Sequence, residues 1–166
     1  MTFSKNLEVI VLFVTILACS GAASPAPLKN NTADGKGTLG VIIPTAIPCW
    51  FDNETAVLVQ MEVTDCAIQP CYMDAGSTYE LAPTFIPAHT TSSLTYRLDY
   101  YYQGTYVNFG VTNHSDTFVA GTAYKIVREV VIPQRIRNHI GHFHVLLEDE
   151  TSAKVLSRCV SGLIRY

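Results

Sequence analysis

The stretch Leu94-Thr-Tyr-Arg-Leu-Asp-Tyr-Tyr-Tyr102 decides the fold class, because apolar and polar side chains alternate along it. Thr95, Arg97 and Asp99 lie at odd-numbered positions, and aromatic or aliphatic residues occupy the even-numbered positions. A side-chain period of two is typical of a β-strand with one buried face. The stretch therefore predicts a strand whose buried face carries Leu94, Tyr96, Leu98, Tyr100 and Tyr102.

Strand patterns recur on both sides of this stretch. They cover residues 56–63, 78–85, 106–111, 122–132, 140–148 and 155–164. Gly76, Gly104, Gly121 and Gly141, together with Pro, Asp and Asn clusters, are interpreted as separators between strands. Helical periodicity is missing, which argues against a nucleotide-binding α/β fold. Short strands at this spacing predict an all-β protein, a β-sandwich.

The N-terminal segment has the pattern of a secretory signal peptide. Lys5 precedes an apolar run, and small residues follow it up to Ala23. The run is shorter than the roughly 20 residues that span a bilayer. Two alternatives remain, an uncleaved anchor and a bacterial lipoprotein box at Leu17-Ala18-Cys19. The predicted organisation is a signal peptide at 1–23, a flexible lead-in at 24–40 and one domain at 41–166.

Composition limits the classes of function. Hydrophobic residues make up 48% of the 166 residues and charged residues 15%, against about 25% charged in an ordinary soluble domain. This balance excludes an intrinsically disordered protein. The net charge is −3 and Lys and Arg form no cluster, so nucleic acid is not an expected partner. Part of the apolar excess belongs to the signal segment.

Cysteine usage fits an oxidising compartment. Of five cysteines, Cys19 leaves with the signal, and an even number remains for disulfides. Three pairings of Cys49, Cys66, Cys71 and Cys159 are possible. The short spacing of Cys66 and Cys71 suits a local loop, which would leave Cys49 and Cys159 to close nearly the whole domain.

Three sequons begin at Asn30, Asn53 and Asn113. Each predicts an exposed loop and a glycosylation site in a secreted eukaryotic protein.

The sequence offers little for catalysis. It contains no Gly-x-Ser-x-Gly elbow and no phosphate-binding glycine loop. His142 and His144 share a strand face with Glu148 and could form a metal pair. Two histidines on the solvent face of a strand are the more ordinary interpretation. We therefore predict that the protein is not an enzyme and holds no metal or cofactor.

Tyrosines crowd one predicted hairpin. Tyr100, Tyr101, Tyr102 and Tyr106 lie around a turn at Gly104. They fit ordinary sandwich core, and they fit equally the wall of an apolar cavity with hydroxyl groups at its rim.

Several motifs in order resemble the ML lipid-recognition domain family, to which the soluble Niemann–Pick type C sterol carrier and the group 2 mite allergens belong. Both halves of the domain carry the resemblance, which extends over about residues 42–166. The motifs are Val63-Thr-Asp-Cys-Ala-Ile-Gln-Pro-Cys71, Gly76-Ser-Thr-Tyr79, Phe85, Asp99-Tyr-Tyr-Tyr-Gln-Gly-Thr-Tyr-Val-Asn-Phe109, Gly121-Thr-Ala-Tyr124, Val145-Leu-Leu-Glu-Asp149 and Cys159.

The resemblance implies an immunoglobulin-like β-sandwich of two antiparallel sheets with a lipid cavity between them. It also implies the disulfides Cys49–Cys159 and Cys66–Cys71. Many members have a third disulfide near the loop that precedes the Tyr124 strand. Residues 110–122 contain no cysteine here, which leaves open how this loop is held.

The resemblance further implies a secreted lipid-binding or lipid-transfer protein for a sterol, a fatty acid or a similar amphiphile. An extracellular or lysosomal location and a membrane or receptor partner would fit it. An immune lipid sensor or interaction module acting through a protein partner is the alternative. Each predicted lining residue could also be plain core. The predicted lining, from resemblance and alternation together, is Phe85, Leu98, Tyr100, Phe109, Tyr124, Ile126, Phe143, Val145 and Leu147.

Overall fold

The computed structural model describes residues 29–31, 41–42, 46–49 and 53–166. The predicted signal peptide lies outside the described residues, as does most of the predicted lead-in. Within the lead-in, Lys29–Asn31 forms a short strand.

The described chain consists of strands joined by turns and loops, with one 3-10 turn at Gln134–Ile136. The strands are β1 (Lys29–Asn31), β2 (Val41–Ile42), β3 (Ile47–Pro48), β4 (Val57–Val63), β5 (Cys71–Asp74), β6 (Thr78–Ile86), β7 (Leu94–Tyr102), β8 (Thr105–His114), β9 (Tyr124–Ile126), β10 (Arg128–Val131), β11 (Ile140–Asp149) and β12 (Lys154–Arg165).

Two sheets form a sandwich, and the predicted all-β fold is confirmed. The first sheet has the order β1-β9-β6-β4-β2, and β10 also pairs with β6. The second has the order β3-β12-β11-β7-β8, and β5 also pairs with β12. Neighbouring strands are antiparallel except for the pairs β1–β9 and β5–β12. The inner faces of the sheets supply one continuous hydrophobic core.

The segment predicted as one strand over 122–132 is divided into β9 and β10. Thr84 pairs with Lys125, and Leu81 pairs with Arg128. Pro83 therefore falls opposite Ile126, in the interval where pairing stops. Proline has no N–H to donate to a ladder. The inward face still continues across the break, because Tyr124, Ile126, Val130 and Ile132 are all buried.

Two disulfides connect Cys49 with Cys159 and Cys66 with Cys71. The first joins the end of β3 to β12, across a sequence separation of 110 residues. The second closes a separation of 5 residues between β4 and β5. This pairing agrees with the one that the resemblance implies.

Candidate functional site

The predicted lining residues meet in the interior of the sandwich, where both sheets contribute to them. All of them except Phe109 are completely or almost completely buried, and Phe109 is half-buried against the same cluster. The first sheet supplies Phe85, Tyr124 and Ile126. The second sheet supplies Leu98, Tyr100, Phe109, Phe143, Val145 and Leu147.

An aromatic row runs along the inner face of the second sheet. The Tyr102 and Tyr100 ring centroids lie 5.6 Å apart, and those of Tyr100 and Phe143 lie 4.7 Å apart. Phe109 continues the row at 5.9 Å from Phe143. Rings at these separations attract one another beyond simple burial. The row therefore has two buried rings in its middle, Tyr100 and Phe143, and a half-buried ring at each end, Tyr102 and Phe109.

A pair of glycines makes room for this row. Gly141 of β11 is paired with Gly162 of β12. A Cβ at Gly141 would lie 2.7 Å from Tyr100 Cζ, and one at Gly162 would lie 2.6 Å from Phe143 Cε2. The interpretation of Gly141 as a separator between strands is therefore wrong. It lies within β11 because the Tyr100 ring needs the space that a side chain would fill.

The Tyr100 hydroxyl is satisfied inside the sandwich. Its oxygen lies 3.0 and 3.2 Å from the carbonyl oxygens of His139 and Gly162, which share its single proton as acceptors. Burial raises the pKa of the Tyr100 phenol above its usual range, with a smaller contribution from Tyr102. Tyr100 therefore remains a neutral hydrogen-bond donor. Its acceptors are the carbonyls of His139, just before β11, and of Gly162 in β12.

A second aromatic cluster covers the inner face of the first sheet. The fully buried Phe118 comes from the loop between β8 and β9. Its ring centroid lies 5.0 Å from that of Tyr124 and 6.4 Å from that of Phe85. Phe118 is not among the residues predicted from the sequence. The available signal was one phenylalanine in an otherwise polar stretch, His114-Ser-Asp-Thr-Phe118.

Hydrogen bonds hold this loop, which carries no cysteine. Thr91 and Phe118 form a two-way backbone bridge, at 3.0 and 2.9 Å. The Val119 N–H donates to the Tyr124 hydroxyl oxygen at 2.8 Å, and the Gly121 N–H donates to the Pro87 carbonyl at 3.0 Å. Burial of Phe118 and these bonds hold the loop in place.

His142 and His144 lie on the outer face of β11, as the alternation predicted, but the expectation that both face solvent is wrong. His144 is only 8% exposed, because it lies on a central strand between β7 and β12. Its Nε2 lies 2.9 Å from Ser157 Oγ, and His142 Nδ1 lies 3.1 Å from Ser161 Oγ. Among residues 46–49 and 53–166, no three His, Cys, Asp or Glu side chains are grouped to hold a metal ion.

A polar depression of about 500 Å³ lies on the same outer face. It combines cationic, anionic and aromatic side chains. They are Arg97, Asp99, Tyr106, Asn108, His144, Leu146, Glu148 and Lys154. Asp99 is nearly buried there and accepts hydrogen bonds from Arg97 Nε at 2.9 Å and Asn108 Nδ2 at 2.6 Å.

In the described part of the chain, no helix is both long and apolar enough to cross a membrane.

Solved structures share this fold, among them the two described next. A Niemann-Pick type C2 protein from the Japanese carpenter ant superposes with a TM-score of 0.63 at 9% identity, covering 73% of this chain and 99% of that one. The C-terminal domain of Wzt superposes with a TM-score of 0.55 at 7% identity, covering 76% of this chain and 82% of that domain. No family model and no curated protein sequence matches the chain. The predicted resemblance is thus confirmed at the level of the fold.

Proposed function

We propose that this protein binds one lipid between its two sheets and acts as a secreted lipid-binding or lipid-transfer protein. A sterol, a fatty acid or a similar amphiphile is the proposed ligand. The observation that carries the proposal is the aromatic row Tyr102–Tyr100–Phe143–Phe109, in which the buried rings of Tyr100 and Phe143 lie between half-buried rings at both ends. The fold shared with a Niemann-Pick type C2 protein supports the same conclusion.

Binding by this route depends on burial rather than on covalent chemistry. Packed sheets lie about 10 Å apart over interdigitated side chains, so a lipid enters only if the sheets separate slightly. Each methylene that leaves water then contributes about 0.8 kcal/mol. The proposed lining is the set predicted from the sequence, together with Phe118, whose ring contacts Phe85 and Tyr124.

We also propose that the chain passes through the secretory pathway to an extracellular or lysosomal compartment. The two disulfides support this, because such bonds persist in oxidising compartments. Asn53 and Asn113 are exposed, as glycosylation would require, but the predicted loop at Asn113 is wrong, because this residue lies in β8 and pairs with Thr95. Asn30 lies in β1, and the exposure of its side chain lies outside what the structure describes.

Native mass spectrometry of the delipidated protein tests the lipid-binding proposal. The protein, produced by secretion from eukaryotic cells, is mixed separately with cholesterol, palmitate and hexadecanol. We expect a one-to-one complex with at least one of them. A chain that is folded by circular dichroism, yet retains and takes up no lipid, would contradict the proposal.

The second candidate function is an interaction module that acts through a protein partner. The polar depression on the outer face of the second sheet favours it, because mixed charges and an exposed Tyr106 provide specific contacts. A pull-down from extracellular fluid with the wild-type chain and an Arg97→Ala variant tests it. A partner retained by the wild type and lost by the variant would support this function.

A further inference from the structure

Arg128 links the two sheets at one open edge of the sandwich. It lies on β10, which pairs with β6 in the first sheet, whereas β8 is the last strand of the second sheet. Arg128 Nη2 donates to the Phe109 carbonyl of β8 at 3.0 Å, and Nη1 donates to Thr112 Oγ1. The guanidinium thus lies beside the Phe109 end of the aromatic row.

The backbone of β8 forms a β-bulge beside this guanidinium. Arg97 pairs with Val111 and Asp99 pairs with Asn108, so Phe109 and Gly110 together oppose one residue of β7. Gly110 has a φ of +102°, and a Cβ there would lie 3.0 Å from Arg128 Nη2. A bulge of this kind re-aims the neighbouring side chains. Here it lets Arg128 approach the main chain beside Phe109.

Two buried polar groups at this edge have no hydrogen-bond partner among the described residues. They are the Tyr96 hydroxyl oxygen and Arg128 Nε. Tyr96 is fully buried, and Arg128 Cζ lies 5.6 Å from its ring centroid, within reach of a cation–π contact. Buried polar groups are almost always bonded, so each exception requires an explanation. The Arg128 Nε–H and the Tyr96 hydroxyl are both hydrogen-bond donors, and a carboxylate has two oxygens that can accept from them.

The charge around this edge also favours an anion. No carboxylate of the described residues lies within ion-pair distance of Arg128, whereas Lys125 on the neighbouring strand is paired with Glu62. Burial lowers the pKa of the His114 imidazole. Asp116 opposes that shift, and the positive charge of Arg128 adds to it. Arg128 therefore has no ion-pair partner among the described residues, and Asp116 acts on the same imidazole as Arg128 does.

We infer that the lipid bound between the sheets carries a carboxylate headgroup, which accepts hydrogen bonds from Arg128 Nε and the Tyr96 hydroxyl. Its tail extends past Phe109 towards Phe143 and the interior. The inference rests on the proposed lipid-binding function and narrows the ligand to the fatty-acid class. Charge-assisted hydrogen bonds are shorter and stronger than neutral ones, so the headgroup contributes to selection as well as orientation.

Affinities for palmitate, hexadecanol and cholesterol test the inference on the wild-type protein. Palmitate and hexadecanol have the same number of carbon atoms and differ in headgroup charge. We expect palmitate to bind about tenfold more tightly, or better, than hexadecanol. If hexadecanol or cholesterol binds at least as tightly as palmitate, the headgroup inference is overturned while lipid binding stands. If none of the three binds, the lipid-binding proposal fails, and the inference with it.

Variants assign the selectivity to the two residues. Tyr96→Phe removes only the unpartnered oxygen, so we expect palmitate affinity to fall about threefold to tenfold while the melting temperature is kept. Arg128→Gln should lower palmitate affinity about tenfold or more and leave hexadecanol affinity unchanged, and Arg128→Lys should restore part of the loss. Arg135→Gln, at an exposed cation elsewhere, is the matched charge control. Equal losses for palmitate and hexadecanol in Arg128→Gln would make the arginine a structural link only and overturn the inference.

Discussion

At the scale of single residues, Phe109 offers a test of the proposed opening. Its ring is half-buried and continues the row from Phe143, whereas Val111 lies two residues further along β8 in register with the outward Arg97. We expect Phe109→Ala to weaken lipid uptake several-fold and to cost about 1–2 kcal/mol of unfolding free energy, less than a fully buried phenylalanine.

Val111→Ala is the matched control, because it removes apolar surface from the same strand on the opposite face. Titration of each variant with palmitate and cholesterol measures the effect. Equal affinities for the two variants would remove Phe109 from the site.

A second prediction for a single residue concerns Gly141, which pairs with Gly162. A Cβ at Gly141 would lie 2.4 Å from the Tyr101 carbonyl oxygen as well as against the Tyr100 ring. Main chain cannot withdraw as a flexible side chain can, so we expect Gly141→Ala to lower the unfolding free energy by about 2–3 kcal/mol. Urea denaturation measures the loss. Ser161→Ala, on the adjacent strand β12 of the same sheet, is the control. A loss below about 0.5 kcal/mol would mean that β11 and β7 can separate locally at little cost.

At the scale of strands, alternation predicted most of what the structure contains. The long strands β6, β7, β11 and β12 were located from a period of two, because each has one face in the core. β5 was missed, since four residues carry too little pattern, and it forms through parallel pairing with β12. The division between β9 and β10 depends on Pro83 of another strand, and a single-segment pattern does not contain that information.

The residues of the candidate site also divide into those that strand alternation predicts and those that it does not. Inward residues such as Phe143 and Tyr124 were predicted, because every second side chain of a strand lies on the same face of the sheet. Phe118 comes from a loop without periodicity, and the contact of Arg128 with Phe109 joins two strands that are not paired. Burial of His144 likewise depends on its place in the order of strands, which the local sequence does not encode.

A further prediction concerns the stability and amide exchange of the loop between β8 and β9. Phe118 anchors it by packing against Tyr124, so Phe118→Ala should cost about 3–5 kcal/mol, as for other buried phenylalanines. We also expect the amides of Val119 and Gly121 to exchange faster with solvent, because their hydrogen bonds to Tyr124 and Pro87 depend on the loop position. Hydrogen-exchange mass spectrometry measures both amides, with Val119→Ala, at an exposed residue, as the control. Unchanged exchange in Phe118→Ala would show that the backbone bridge to Thr91 holds the loop alone.

At the scale of the whole molecule, the low charge content acquires a structural reason. Buried residues from both sheets form one apolar cluster, and outward positions are shared among exposed valines, isoleucines and tyrosines as well as charges. Several cations of the second half have ion-pair partners, as with Arg158 and Glu54 or Arg165 and Asp74. Arg128 differs from these because it links the two sheets and forms no ion pair with a described carboxylate, and this is why we propose it as the partner of an anionic headgroup.

The two disulfides act on the stability of the entire domain to different extents. In the chain-entropy model, a bond that closes about 100 residues contributes about 4.7 kcal/mol, and one that closes a very short loop contributes about 2 kcal/mol. Replacing Cys49 and Cys159 together by serine should therefore cost more than twice as much as replacing Cys66 and Cys71 together. Double replacements avoid an unpaired thiol, and chemical denaturation monitored by circular dichroism gives both free energies. Equal losses would mean that the local Cys66–Cys71 bridge, which spans the passage from β4 in one sheet to β5 in the other, holds the sheets together as strongly as the long-range bond does.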